Sequence, residues 1–221
     1  MTVHIEMVSD VVCPWCWLGL RRVQAARALV PDIDVELVFR PYELDPNIPA
    51  GGADYKAYMQ AKFGANEATK SRANTMRDTL IEFGEQAGIP FDFDAIERRP
   101  NTFDAHRLIS WAQGQGKGEA AKEALFKAFF ADGKDVGLHE VLVSVAGQIG
   151  LDTNLVSDLL SSGADTDRLR KEQALFLQMG VSGVPTFIAH RQYAISGAQD
   201  ADVLAQFFEK AAADMQASAL N

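Results

Sequence analysis

The sequence predicts an α/β protein in which a βαβ unit and a ββα unit are separated by an all-helical block. Three observations carry this. Apolar and polar residues alternate in short runs near both ends of the chain, helical spacing replaces alternation across the middle, and two cysteines lie three positions apart where the first strand gives way to the first helix.

Val3, Ile5 and Met7 alternate with His4, Glu6 and Val8, the period of a strand with one preferred face. After a turn through Ser9 and Asp10, the stretch from Cys13 to Val30 reads helical. Leu20, Val23 and Val30 form its apolar stripe, Arg21, Arg22 and Arg27 fall largely outside it, and Pro31 ends it. Val35, Leu37 and Phe39 then alternate with Asp34, Glu36 and Arg40 up to Pro41, giving a second strand. From about Gly51 to Gly180 no strand pattern appears. Ala73, Met76, Leu80, Phe83 and Ala87 recur at spacings of three or four, and Gly88-Ile89-Pro90, Arg99-Pro100, Gly114 to Gly118, Asp132-Gly133 and Gly150 divide the block into some six or seven helices. Thr186 to Ala189 and Tyr193 to Ser196 are short strand-like runs, a hairpin joined through His190-Arg191-Gln192. A last helix follows with Val203, Leu204, Phe207, Phe208 and Ala211 on its stripe, and Asp200 near its positive end. The expected domains are residues 1–50 with 179–221, and an insertion over 51–178. Cysteines at the first junction and Gly183-Val184-Pro185 ahead of the hairpin match the layout of a thioredoxin fold (βαβ…ββα) interrupted by an all-helical insertion domain.

The chain has 221 residues and is 48% hydrophobic, enough to bury a real core. Lys+Arg 21 against Asp+Glu 30 leaves a net charge of −9, which speaks against nucleic acid or an anionic membrane as partner. No run approaches the roughly 20 apolar residues of a membrane span, and Met1 to Glu6 lacks a basic region followed by an apolar one, so a soluble, cytoplasmic protein is expected. Two cysteines are too few for a disulfide-stapled secreted fold.

Those two cysteines, in Cys13-Pro14-Trp15-Cys16, carry the chemistry. A thiol is a nucleophile only as thiolate, and a cysteine opening a helix has unpaired backbone N–H groups and the positive dipole end to stabilise that anion. Cys13 occupies that place. Cys16, one turn later, is spaced to attack a mixed disulfide at Cys13 and release the substrate. Pro14 fits just after a helix cap, where its missing N–H costs little. Half of a zinc site is the other use of such a pair, but zinc takes about four ligands and His4, His106, His139 and His190 show no paired spacing, so no metal is expected. A cis bond at Pro185 would turn the backbone of Val184 toward the cysteines, where an extended substrate can add as a strand. An ordinary loop proline is the alternative; the upstream Cys-x-x-Cys and the matching order of elements favour cis. Gly114, Gly116 and Gly118 do not follow a strand and lack dinucleotide-binding spacing, so they read as a helix-to-helix loop.

Ser9 to Gly19, Phe39 to Pro46, Asn101 to Leu108, Gly180 to Phe187 and Ile195 to Gln199 together resemble the DsbA-like thioredoxin superfamily, and within it the FrnE-like branch. The resemblance spans nearly the whole chain. It implies a thioredoxin fold with an inserted helical domain, a cis-proline at Pro185 and thiol–disulfide oxidoreductase activity with no tightly bound cofactor beyond a redox-active Cys13–Cys16 pair. The substrate expected is a disulfide-containing protein or a small-molecule thiol, met by Pro14, Trp15, Val184 and Pro185. Two departures matter. Relatives carry a buried carboxylate six positions before the first cysteine, where Met7 stands here, which leaves Asp10 or water to take the proton of Cys16. Some FrnE-like proteins bear a further cysteine pair near the C-terminus, absent here, so no internal relay of disulfides is expected. The neighbouring branch of 2-hydroxychromene-2-carboxylate isomerase and kappa-class glutathione transferase has serine in place of Cys13 and holds glutathione at positions matching Val184, Ala198 and Gln199. Glutathione is therefore a candidate co-substrate. A glutathione-dependent isomerase or transferase acting on an aromatic small molecule, and a non-catalytic binding protein or holdase, are the rival functions.

Asn101, Thr102 and His106 open an insertion helix that overhangs the cysteines in the family arrangement. Two readings stand for them: helix cap and interior histidine, or substrate wall with a histidine near Cys13. Trp15 and Trp17 border the groove, with packing against the insertion the favoured role of Trp17.

Overall fold

The computed structural model describes residues 2–219. Its main sheet has the order β2-β1-β5-β6, built from β1 (Thr2–Ser9), β2 (Asp34–Pro41), β5 (Thr186–Ala189) and β6 (Tyr193–Ser196). β1 runs parallel to β2 and antiparallel to β5, so the first strand of the chain is central and waits for the last third of the sequence to be paired on both sides. The parallel step requires a crossover, supplied by α1 (Pro14–Leu29). Val3, Ile5 and Met7 are fully buried and face a core shared with Leu20, Val23, Phe187, Leu204 and Phe208. At about 1.5–3 kcal/mol for each fully buried large apolar side chain, this face holds α1 and α9 (Ala201–Ala219) to the sheet. Val8, on the opposite face, joins Phe176, Val181 and Ile188 in a smaller cluster.

The middle of the chain forms seven helices among the described residues: α2 (Tyr55–Phe63), α3 (Glu67–Gln86), α4 (Phe103–Gln113), α5 (Gly118–Phe130), α6 (His139–Gln148), α7 (Thr153–Ser161) and α8 (Thr166–Gln178). Three of them start with a side-chain cap: the Asp54 side chain accepts from Ala57 N, Asn66 and Thr69 form a capping box, and Asp152 accepts from Asn154 N and Leu155 N. The expectation of a strand-free middle is corrected at one place. Ala53–Asp54 (β3) pairs antiparallel with Arg98–Arg99 (β4), two residues a side and too short to leave an alternation in the sequence. Met76 and Val203, placed on apolar stripes by their spacing, are 37% and 39% exposed, because each lies at the margin of its helix's buried face.

The β5–β6 hairpin turns through His190 and Arg191, both with positive φ, and Gln192 N donates to Ala189 O. The Val184–Pro185 peptide bond is cis. Pro185 lies against α1: a Cβ at Gly19 would meet Pro185 Cγ at 3.1 Å and Phe187 at 3.3 Å, so a side chain there would push the helix off the loop.

Candidate active site

Cys13 is the residue from which α1 starts. Its backbone is extended, its side chain makes no cap bond, Pro14 takes the first helical position, and Cys16 N donates to Cys13 O at 3.0 Å. Both cysteines are free and buried, Cys13 at 4% and Cys16 at 0% exposure. Cys13 Sγ donates to Val184 O at 3.6 Å, across 171 residues of sequence. The Gly183-Val184-Pro185 loop thus stands over the thiol, and among the described residues the Val184 N–H has no acceptor.

The two thiols differ in acidity for reasons visible in their surroundings. A hydrogen bond from the Cys16 thiol holds the Cys13 pKa below its ordinary value, helped by the N–H groups of Cys16 and Trp15 and opposed by burial and by the Asp10 charge. Burial pushes the Cys16 thiol well up, and its bond to Cys13 and the repulsion between the two sulfurs push the same way; Lys122 works in the other direction. One nucleophile and one protected thiol result.

Asp10 lies beneath this pair, 1% exposed. Its Oδ2 accepts from Leu44 N at 2.8 Å, and its Oδ1, 3.4 Å from His106 Nε2, has no hydrogen-bond partner. Burial works to raise its pKa, but His106, the Leu44 N–H and Arg99 outweigh that and hold it below 3.8. His106, 3% exposed on α4, has Nε2 3.0 Å from Tyr42 O; a carbonyl only accepts, so this nitrogen carries the proton.

Asn101 bonds Ile48 O through Nδ2 and accepts from Phe103 N, which ties the start of α4 to the loop after β2. Thr102 is buried without a side-chain cap bond. Trp15 is half-buried with an edge contact to Phe83, whereas Trp17 is 1% exposed among Phe91, Phe126 and Phe130 and donates from Nε1 to Glu123 at 3.0 Å. Ala198 and Gln199 lie in the turn before α9: Arg22 donates to Ala198 O, and Gln199 folds its side chain onto Ser196 O at 2.6 Å. Met7 is fully buried in the core cluster that contains both cysteines. Glu6 lies on the other face of β1, bonded by Arg40 Nε at 2.8 Å.

Two residues beside the cysteines were not found by sequence reasoning. Arg99, placed by the β3–β4 pair, is 5% exposed and donates to Val12 O at 3.3 Å and to Asp45 Oδ2 at 2.6 Å. Lys122, on α5, is fully buried and donates to Ser9 O at 3.5 Å. Arg99 left no signal beyond the Arg-Pro punctuation. Lys122 did leave one: it stands four and seven positions before Phe126 and Phe129, on the apolar stripe of its helix.

Among the described residues no cluster of three or more His, Cys, Asp or Glu side chains is placed to hold a metal ion, and no helix is long and apolar enough to cross a membrane.

The family model of the DSBA-like thioredoxin domain matches residues 4–209. The chain is 31% identical over 220 residues to the uncharacterized protein YwbO of Bacillus subtilis (strain 168), covering 98% of each. It is similar to the crystal structure of the probable DsbA oxidoreductase SCO1869 from Streptomyces coelicolor, at TM-score 0.84 and 33% identity over 95% of this chain and 89% of that one. It shares its fold with the cytosolic disulfide reductase DsbM from Pseudomonas aeruginosa, at TM-score 0.60 and 18% identity over 99% and 100% of the two chains; DsbM has also been solved with GSH.

Proposed function

We propose, from the premise that this chain belongs to the DSBA-like thioredoxin domain family, that it is a thiol–disulfide oxidoreductase working through Cys13 and Cys16. The observation that carries the proposal is the asymmetry of the pair: a helix-opening thiol with lowered pKa faces the carbonyl of Val184, and a buried thiol with raised pKa lies one turn behind it. In the reducing direction the Cys13 thiolate attacks one sulfur of a substrate disulfide, and the other sulfur leaves as a thiolate. Cys16 then gives up its proton and attacks Cys13 Sγ, the bond to the substrate breaks, and the substrate departs as its second thiolate. Two electrons pass to the substrate, and the protein is left as the Cys13–Cys16 disulfide. The reverse sequence oxidises a dithiol.

Val184 and Pro185 form the surface on which an extended substrate lies. Val184 has a free N–H, and its carbonyl loses its partner once the Cys13 sulfur enters a disulfide, so both strand-pairing groups become available when the substrate is attached. Pro14 and Trp15 border this surface, and Asn101, Thr102 and His106 hold the wall behind it. The substrates are disulfide-containing proteins or small thiols. The sequence blocks named above support the FrnE-like branch, and the fold shared with cytosolic DsbM, solved with GSH, supports a cytoplasmic enzyme that uses glutathione as co-substrate near Val184, Ala198 and Gln199. A thiol at position 13 with a second at 16 favours this reading over a glutathione-dependent isomerase.

The test is equilibration of the purified protein in glutathione redox buffers, with the state of Cys13 and Cys16 read by mass, beside insulin reduction with a dithiol donor. An internal disulfide forming over a defined window of buffer potential, and insulin reduction that is lost in Cys13→Ser, are expected. Failure of the pair to form a disulfide, or equal activity in Cys13→Ser, would overturn the proposal; a holdase predicts no insulin reduction above the donor's own rate by either protein.

A further inference from the structure

We propose that Lys122 is the proton acceptor that serves Cys16 when the mixed disulfide is resolved. The inference rests on the dithiol reading above and names the group that its second step requires. Cys16 is fully buried and holds its proton tightly, so water is a poor base for it. At the position where relatives carry an acid, the side chain is the thioether of Met7, which accepts no proton. Asp10, the other candidate, commits Oδ2 to Leu44 N and is held in its ionised form below 3.8, too weak a base for a thiol of raised pKa.

Lys122 has what those groups lack. It enters from α5 in the insertion, its exposure is zero, and its Nζ reaches the carbonyl of Ser9, the last residue of β1 before the loop that carries Asp10 and Cys13. Among the described residues it has no ion pair; its other near neighbour is the ring of Phe126, 5.1 Å from Nζ. α5 packs against α1, where the Trp17 ring stacks on Phe126 one turn beyond Lys122, and the titratable groups whose charges act on Lys122 are Cys16 and Cys13 from α1 and Asp10 from the loop. An ammonium without a carboxylate partner in an apolar interior loses its proton readily: burial lowers its pKa to about 8 even though those three groups work to raise it.

The step balances within the site. Cys16 Sγ passes its proton to the neutral amine of Lys122, the sulfur's electron pair forms the bond to Cys13 Sγ, and the bond between Cys13 Sγ and the substrate sulfur breaks with its pair leaving on the substrate. Lys122 ends protonated and returns its proton to solvent or, in the oxidising direction, to Cys16.

The experiment mixes reduced protein with one equivalent of 4,4′-dipyridyl disulfide in a stopped-flow instrument. The first thiopyridone is released by attack of Cys13 and the second by Cys16, so the two steps are read separately in one trace. In the wild-type protein the second phase is expected to speed up with pH through about 8 and then level, as Lys122 becomes neutral. In Lys122→Met it slows on the order of 100-fold at neutral pH and keeps rising with pH past that point, while the first phase changes far less. Lys122→Arg keeps a charge but supplies no base near neutral pH, and is expected to be as slow. An unchanged second phase in Lys122→Met, equal slowing of both phases, or a wild-type rate in Lys122→Arg would overturn the assignment to Lys122 and leave the dithiol reading standing. Absence of thiopyridone release from the wild type, or equal release from Cys13→Ser, would overturn the dithiol reading itself. Should the variants not fold, the wild-type profile decides: a second phase that rises without levelling between pH 7 and 9.5 refutes the role.

Discussion

Replacing Trp17 by alanine tests whether the helical insertion is held to α1 by the packing described above. The ring is 1% exposed and stacks on Phe126 and Phe130 with centroids at 5.9 and 6.1 Å, with Phe91 edge-on at 5.4 Å. Truncating a buried aromatic of this size to alanine costs about 3–5 kcal/mol, from lost apolar burial and the cavity left behind, of which each aromatic pair accounts for about 0.5–1.5. Loss of the Nε1 bond to Glu123 adds little, because Glu123 keeps its pairing with Arg21. Against a total stability of about 5–15 kcal/mol this is a large fraction, and for a chain of this length it lowers Tm by roughly 6–20 °C. Trp17→Phe keeps most of the ring contact and is expected to lose about 1–2 kcal/mol. Urea denaturation followed by circular dichroism gives both numbers, provided the slope m is unchanged between variants. A loss below about 1 kcal/mol in Trp17→Ala, or equal losses in the two variants, would show that the aromatic cluster does not hold the two parts together.

Cys16→Ser leaves the nucleophile and removes the resolving thiol, so mixed disulfides with a peptide disulfide should accumulate on Cys13 and be visible by mass, while Cys13→Ser traps none. Asp10→Asn removes a charge that raises the Cys13 pKa, so the alkylation profile of Cys13 should shift to lower pH; a shift to higher pH contradicts the electrostatic reading. Because the Asp10 pKa is depressed in the fold, its stabilisation is present above the unfolded value and lost as pH falls through the folded one, so Asp10→Asn should be the less stable protein at pH 7 and converge with wild type in acid. Lys122 behaves oppositely. Holding its pKa at about 8 instead of 10.5 costs the folded protein about 3 kcal/mol below pH 8, a cost relieved as pH rises from 8 to 10.5, so Lys122→Met should be more stable at pH 7, with the gain shrinking toward pH 10. A less stable Lys122→Met at pH 7 contradicts this.

Most of the scaffold was legible because its strands obey a period of two. Val3-Ile5-Met7 and Val35-Leu37-Phe39 each show one face, the two hairpin runs are short and strand-like, and all four appear in the sheet. The position of Cys13 followed from Pro14 and the helical run behind it. What sits around the cysteines was less legible, since it is assembled from residues far away in sequence whose local patterns describe only their own elements. His106 and Asn101 read as a cap with an interior histidine or, less readily, as a wall, and only the loop from Tyr42 to Ile48 folded beside them shows what they bond. Arg99 depends on a two-residue strand pair that leaves no periodic trace. Lys122 stands on the buried stripe of α5, but a lysine there ordinarily curls its long stem out to water, and its full burial follows from the packing of Phe126 and α1 around it.

The central place of β1 has a consequence for how the protein is made. As the chain leaves the ribosome, β1 and both cysteines emerge before β2, and the other edge of β1 has no partner until residues 186–189 arrive. The carbonyl that meets Cys13 lies 171 residues downstream, an interval of roughly 10–30 s at ordinary rates of synthesis. For that time the nascent polypeptide carries a thiol pair without the loop that lies over it, together with an open strand edge that invites pairing with other chains. The insertion is translated in between, and in the finished protein Trp17 of α1 stacks on its Phe126, with Cys16 fully buried in the same core cluster. Order of synthesis thus supplies both cysteines early and the loop over Cys13 last.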